Sequence, residues 1–225
     1  MSDAKMTEII LVTAKLAFVT TFILLVVSPP IAWWLSQGRS WTRSIIEALV
    51  ALPLVLPPTV LGFYLLLLMA PDALFGRFWM AMTGTPLSFS FSALVVGSVL
   101  YSLPFVVQPL HNAFRQIPQS LLETAATLGA APFDRFVSVV VPFCKKSFIT
   151  ASCLGFAHTV GEFGIVLMIG GNIPGETQVL SIALFDAVER LDFAGAHLMA
   201  GGLMAFSLLS LIMIYRYNSK TNVGL

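Results

Sequence analysis

His158 and Glu162 stand four residues apart in the apolar run Phe148–Ile169, a spacing that puts both on one face of a helix. Charge is expensive in lipid, so an ionisable pair inside such a segment points first to function. Two chemistries fit: a relay passing protons between imidazole and carboxylate, or a hydrogen-bonded brace that steadies the helix. Little else in the chain has the form of a reaction centre. The gaps between His111, His158 and His197 give no metal-ligand spacing, and His111 and His197 fall at span ends, where an interfacial role is expected. No catalytic triad or paired carboxylates stand out. "GGNIPGE" (Gly170–Glu176) is glycine-rich but lacks the Lys-Ser/Thr of a phosphate-binding loop. Cys144 and Cys153, nine apart, have neither disulfide nor metal spacing and read as inert buried thiols.

The elements that must position these residues are membrane spans. Of 225 residues 57% are hydrophobic and 10% charged, against roughly 25% charged in soluble domains. The mean hydropathy is +0.90. A net charge of +1 leaves no concentrated basic face for nucleic acid. A bilayer core needs about 20 apolar residues per helix, and five segments qualify: 9–35, 45–69, 92–109, 148–169 and 196–214. The expectation is one all-α, polytopic transmembrane domain over residues 1–225. Pro53, Pro57 and Pro58 should break or kink the second span inside the bundle. The opening segment is polar and mixed in charge, and the apolar run after it is too long for a cleavable signal, so it should stay as the first span. No internal repeat is visible, which weakens an inverted-repeat carrier.

Basic residues set the orientation. Arg39, Arg43, Arg115, Arg135, Lys145, Lys146, Arg216 and Lys220 collect on one side, against Lys5, Arg77 and Arg190 on the other. Lys15, within the first span, can snorkel outward. This puts the amino terminus outside and the carboxyl terminus in the cytoplasm. Trp33, Trp34, Trp41, Tyr215 and Tyr217 would then form an inner aromatic belt. Glu176, Asp186, Glu189 and Asp192 fall in an outer loop whose amphipathic stretch "LSIALFDAVERLDF" should lie as a helix along the interface, its charges solvated.

Between spans three and four, residues 111–147 carry helix punctuation. Pro118 suits a first turn and Gly129 a left-handed stop. Leu121, Ala125 and Leu128 share a face, widened by Leu122 and Ala126, while Glu123, Thr124 and Thr127 point away. A second piece, "PFDRFVSVVVP", runs from Pro132 to Pro142. The expected product is a cytoplasmic helix–turn–helix elbow, and a loop that only closes the bundle would not need such punctuation.

"ETAATLG" (Glu123–Gly129), with Pro142 thirteen residues after the glycine, resembles the EAA loop of ABC-importer permeases. Thr124 stands where alanine is usual, and Val141 where leucine often precedes the proline. The resemblance implies a coupling helix docking in a cleft of a cytoplasmic ATPase through Leu121, Glu123, Ala125, Ala126, Leu128 and Gly129. "LPLVLPPTVLGFYLLL" (Leu52–Leu67) and "GEFGIVLMIGGNIPGETQVL" (Gly161–Leu180) extend the likeness to molybdate-importer permeases, with Asn172, Pro174, Gly175, Glu176 and Thr177 as the outer-loop motif. It implies a homodimer in a bacterial inner membrane, a pair of ATPase subunits holding ATP and Mg, a periplasmic molybdate-binding protein, and no cofactor on this chain. Molybdate, a tetrahedral dianion, would meet few cations in the spans beyond Lys15 and His158, which suits a conduit that must release its passenger. Ser98, Ser102, His158, Thr159, Gly161, Glu162 and Gly164 are the pathway or gate candidates. Sulfate, thiosulfate and tungstate are alternative passengers. A proton-coupled carrier using His158 and Glu162, and a non-transporting scaffold, are the readings from other classes.

Overall fold

The computed structural model describes residues 3–38 and 40–219, all helices and connections, with no strand among them. Arg39 and Lys220 of the basic-side tally lie outside the described residues. Helix α1 (Asp3–Ser36) runs through Pro29 and Pro30. It packs lengthwise on α5 (Phe91–Arg115), and both pack on α9 (Lys145–Gly161), giving the bundle its three-helix centre. Helix α5 starts on Ser90, whose hydroxyl accepts the Ala93 amide at 3.2 Å, an ordinary N-cap. It continues through Pro104 and Pro109 to Arg115. The third span is therefore longer than 92–109, and residues 111–115 belong to it rather than to the loop.

The second span is broken, as its prolines require. Helix α2 (Trp41–Ala51) leads through a 3₁₀ turn at Leu52–Leu54 to α3 (Pro58–Met69), and the two arms meet at 109°. Helix α4 (Leu74–Thr83) follows on the same side as the start of α5. Span four is broken too, which its sequence does not announce. α9 stops at Gly161, and a separate helix α10 (Gly164–Gly170) fills the remaining depth, packed on α3 and α5.

Three buried clusters fill the interior, the smallest joining Ile9, Ala183, Ala187, Ala196 and Met199; the two larger divide the length of α5. One joins Leu16, Leu65, Met69, Leu94, Ile165 and Ile169 on the side where α5 begins; the other joins Leu24, Leu35, Val106, Leu110, Phe114 and Val140 on the side where it ends. Close approach depends on small residues at the crossings. A Cβ on Gly97 would lie 2.3 Å from Ile169 Cδ1 and 2.8 Å from Ile165 Cγ2.

At the periphery, helix α11 (Leu180–Glu189) buries Ser181, Ile182, Ala183 and Ala187 against the bundle. Of the acidic residues in this stretch, Glu176, Glu189 and Asp192 are exposed, while half-buried Asp186 pairs with Arg190 at 3.5 Å; Asp192 Oδ1 also accepts the Gly195 amide at 3.0 Å to cap α12 (Phe193–Ser219). In the aromatic belt, Trp33 turns inward, edge-on to Phe114 and Phe136 at 5.6 Å each. Trp41 remains 81% exposed.

Replacing Gly97 by Leu forces apart α5 and α10, at a cost of about 1–3 kcal/mol. The variant is expected to melt several degrees lower in detergent and to reach the membrane at a reduced level. Unchanged melting would mean these helices do not touch there.

Candidate functional site

Two regions carry the residues singled out by sequence. The elbow opens with α6 (Gln119–Thr127), entered from Pro118, whose carbonyl accepts the Leu121 amide at 3.1 Å. It closes on Gly129 at φ +84°, the left-handed region that glycine enters without steric cost. The Ala130 amide reaches Ala125 O and the Gly129 amide reaches Ala126 O, each at 3.0 Å. That pair of bonds is a Schellman stop, satisfying carbonyls the helix end would leave open.

The faces of α6 divide differently from the sequence pattern. Leu122 and Ala125 turn toward the bundle, whereas Leu121 is 42% and Leu128 83% exposed, beside exposed Glu123 and Ala126. The second leg comprises α7 (Pro132–Arg135), a π-helical turn (Phe136–Val140) and α8 (Val141–Phe143), meeting α9 at 76°. Phe133, at the start of this leg, is 76% exposed. An aromatic cluster of Trp33, Phe114, Phe136 and Phe148 roots the elbow. Sequence reasoning missed it, because its members lie on four separate elements with no common period.

Beneath the elbow a cavity of about 540 Å³ opens between the ends of α1 and α5 and the starts of α2 and α6. His111 is buried there, 3.7 Å from Glu47 across the gap.

The second region is the seam between α5 and α9. Ser102 Oγ lies 2.9 Å from His158 Nδ1 and 3.2 Å from Thr159 Oγ1, and the Thr159 hydroxyl donates to Gly155 O at 2.9 Å. The His158 ring stacks on Phe105 with centroids 3.8 Å apart, and Tyr101 stands at 5.2 Å. Ser98, one turn earlier on α5, has a fully buried hydroxyl with no partner.

Glu162 is not the partner of His158. The helix ends before it (φ −67°, ψ 131°), so the two residues do not share a helical face, and no hydrogen bond or ion pair joins them. Its Oε1 instead accepts the Ile165 amide at 3.1 Å, capping α10, and its backbone oxygen accepts the Ser181 hydroxyl of α11. With no hydrogen bond or ion pair between the two groups, the direct brace is not formed. Gly161 is exposed at the break, and a Cβ on Gly164 would lie 2.7 Å from Pro58 Cβ. The breaks of spans two and four thus face each other.

The outer-loop motif is a closed turn. Thr177 is fully buried; its hydroxyl donates to Gly170 O at 2.7 Å and accepts the Ile173 amide at 3.1 Å. Asn172 donates to Asp186, and Gln178 donates to Asn172 Oδ1 at 2.7 Å. Pro174, Gly175 and Glu176 form the exposed tip. No group of three or more metal-ligating side chains occurs among the described residues.

Residues 28–221 match the family model for the binding-protein-dependent transport system inner membrane component. The molybdenum transport system permease protein of Azotobacter vinelandii is 56% identical over 90% of this chain and 90% of its own length. A sulfate transport system permease protein of Escherichia coli K12 is 31% identical, over 93% of this chain and 75% of its own. Among solved structures, an inward-facing methionine ABC transporter superposes with a TM-score of 0.72 at 19% identity, covering 98% of this chain and all of the other. A bacterial alginate ABC transporter gives 0.72 at 13% identity, covering 99% of this chain and 80% of that one.

Glu162→Gln keeps a carbonyl acceptor for the Ile165 amide, while Glu162→Ala removes it at a cost of about 1 kcal/mol. The alanine variant should melt measurably lower in detergent, and the glutamine variant close to the parent. Equal melting of the alanine variant and the parent would contradict the capping role.

Proposed function

This chain belongs to the binding-protein-dependent transport system inner membrane component family, and from that premise we propose that it is the permease subunit of an ATP-driven importer carrying molybdate across the bacterial inner membrane. The observation that carries the passenger assignment is the majority identity, over nine-tenths of both chains, to a molybdenum permease. Sulfate permeases are related at a lower level. The permease hydrolyses nothing itself. ATP and Mg reside on a cytoplasmic ATPase dimer, which the elbow engages through the exposed Leu121, Glu123, Ala126 and Leu128, while Ala125 seats the helix on the bundle and Gly129 fixes the angle between its legs. The solvent-facing Leu121 and Leu128 support this reading, because apolar side chains so exposed on a short polar helix need a partner.

Homodimerisation is supported by the broken spans. Non-helical backbone at membrane depth is tolerated only when protein or a water-filled path covers it, yet Pro57 and Gly161 are exposed in the single chain. A second copy brings the cover and places the pathway between the two protomers, past Ser102, His158, Thr159, Gly161, Glu162 and Gly164. The periplasmic molybdate-binding protein docks at the opposite end, over Asn172, Pro174, Gly175, Glu176 and Thr177. The basic residues at the elbow end put that end in the cytoplasm and the amino terminus outside.

In ATP-loaded proteoliposomes holding the whole transporter, molybdate uptake is expected to continue after the proton gradient is collapsed. Uptake driven by an imposed proton gradient without the ATPase would overturn the assignment. Gly129→Val puts a β-branched residue in the left-handed region at about 1–2 kcal/mol. No neighbour lies within 4 Å of the added Cβ, so the strain is confined to the backbone. That variant should insert at a near-normal level but lose ATPase co-purification and stimulation. Full ATPase recovery with normal transport would make Gly129 an ordinary loop residue.

A further inference from the structure

Donor counting gives the hydrogen bonds of the α5–α9 seam a direction. The Gly155 carbonyl can only accept, so the single Thr159 hydroxyl hydrogen is committed to it. Thr159 then offers lone pairs to Ser102, and Ser102 donates to Thr159. With the Ser102 hydrogen on Thr159, none remains for His158, and Nδ1 of the ring is the donor in the 2.9 Å contact. Neutral His158 is therefore the Nδ1–H tautomer, with a bare lone pair on Nε2. Nε2 has no hydrogen-bond partner among the described residues and is not one of the sealed, unpaired polar atoms. Stacking on Phe105 and the neighbouring Tyr101 holds the ring in this orientation.

We propose that His158 contacts the oxyanion passenger through Nε2, and that Ser102 and Thr159 are positioning residues whose hydrogen-bond chain makes this contact depend on protonation of the ring. The inference rests on the proposed function. A fully deprotonated tetrahedral oxyanion offers only acceptors, and a bare Nε2 repels it. When the anion arrives, Nε2 takes a proton from water and donates it in a charge-assisted bond to an anion oxygen. When the anion leaves, the proton returns to water and the ring is neutral again. No covalent bond of the passenger changes.

Titratable and charged groups on the packed elements are few. Tyr101 on α5 touches the ring, Cys153 precedes it on α9, and Glu162 follows just past the end of α9 with its carboxylate turned to the Ile165 amide. Lys15 on α1 sits 4.4 Å over Phe91. Asp186 and Glu189 on α11 and His197 and Arg216 on α12 make no ring contact with His158 among the described residues.

The test uses the complete transporter in proteoliposomes, with molybdate uptake followed from about pH 5.5 to about pH 8. The parent's KM should rise by about threefold or more toward the alkaline end, because each bound anion then draws its proton from a more dilute pool. His158→Arg, permanently charged, should flatten that rise. Ser102→Ala should shrink it, because Nδ1 loses its acceptor and the neutral ring is free to carry its hydrogen on Nε2. All variants share the ATPase and the delivery protein, so pH effects from those subunits appear in every profile. Superimposable KM profiles in parent, His158→Arg and Ser102→Ala would overturn the proposal. Nitrogen-15 spectra of the histidine-labelled complex, with the His158 signal assigned by its loss in His158→Gln, supply a second readout. An Nδ1–H signature in the parent that moves toward Nε2–H in Ser102→Ala supports the chain, and an Nε2–H signature in the parent refutes it. If the parent complex moves no oxyanion at all, the proposed function fails, and the spectra still decide whether the tautomer is fixed as argued.

Discussion

Everything in this bundle depends on one constraint: backbone amides and carbonyls inside a bilayer must find partners within the protein. Two spans break that ladder, at Val55–Pro57 and at Glu162–Phe163, and the structure repairs both in one place. The α10 break is closed from within, by the Glu162 carboxylate on the Ile165 amide and the Ser181 hydroxyl on the Glu162 carbonyl. The α3 break uses prolines, which have no amide to satisfy. Gly164 then lets the Pro58 ring lie against α10, so the two weak points support each other.

Glu162 links this region to the end of the bundle where α5 begins. Its backbone oxygen is held by α11, and α11 also carries Asp186, the acceptor that fixes Asn172 of the outer turn. Thr177 closes the same turn onto the last residue of α10. A displacement of the exposed tip therefore acts on both ends of α10 at once, through hydrogen bonds rather than loose packing. At the opposite end, Trp33, Phe114, Phe136 and Phe148 join the elbow to α1, α5 and α9. The elbow is thereby packed directly on the central helices. The tied clusters lie at the two ends of the bundle, and the backbone breaks lie between them.

Local signals made much of this legible. Proline and glycine act through their own backbones, so Pro118, Gly129 and the cluster Pro53–Pro58 mark helix boundaries without any tertiary information. Apolar run length did the same for the membrane class. What stayed hidden was set by partners distant in sequence. Glu162 lies in an apolar run with good helical continuity, and only the packing of Pro58 and the reach of Ser181 explain why the helix stops there. The His158–Glu162 pair illustrates the resulting error: spacing of four implies a shared face only while the helix is unbroken. On α6, periodicity identifies an apolar stripe without saying which part of it meets the bundle, and Leu122 takes that position because the Phe114–Phe136 cluster receives it.

The scarcity of charge along the seam has a physical logic. At an effective dielectric constant of about 20, a unit charge 4 Å from a cation gains about 4 kcal/mol, so a dianion would gain about 8 kcal/mol from one fixed guanidinium or ammonium. Eight kcal/mol corresponds to nearly a millionfold in residence, enough to stall a conduit. Lys15 avoids this by sitting over Phe91 near the outer end of α5 rather than at the break. Hydroxyls hold an anion more weakly, and an imidazole whose neutral form presents a lone pair does not hold it at all until protonated. In the proposed arrangement, attraction exists only while the passenger and a proton are both present. It ends when either departs, which lets one residue both receive the anion and release it.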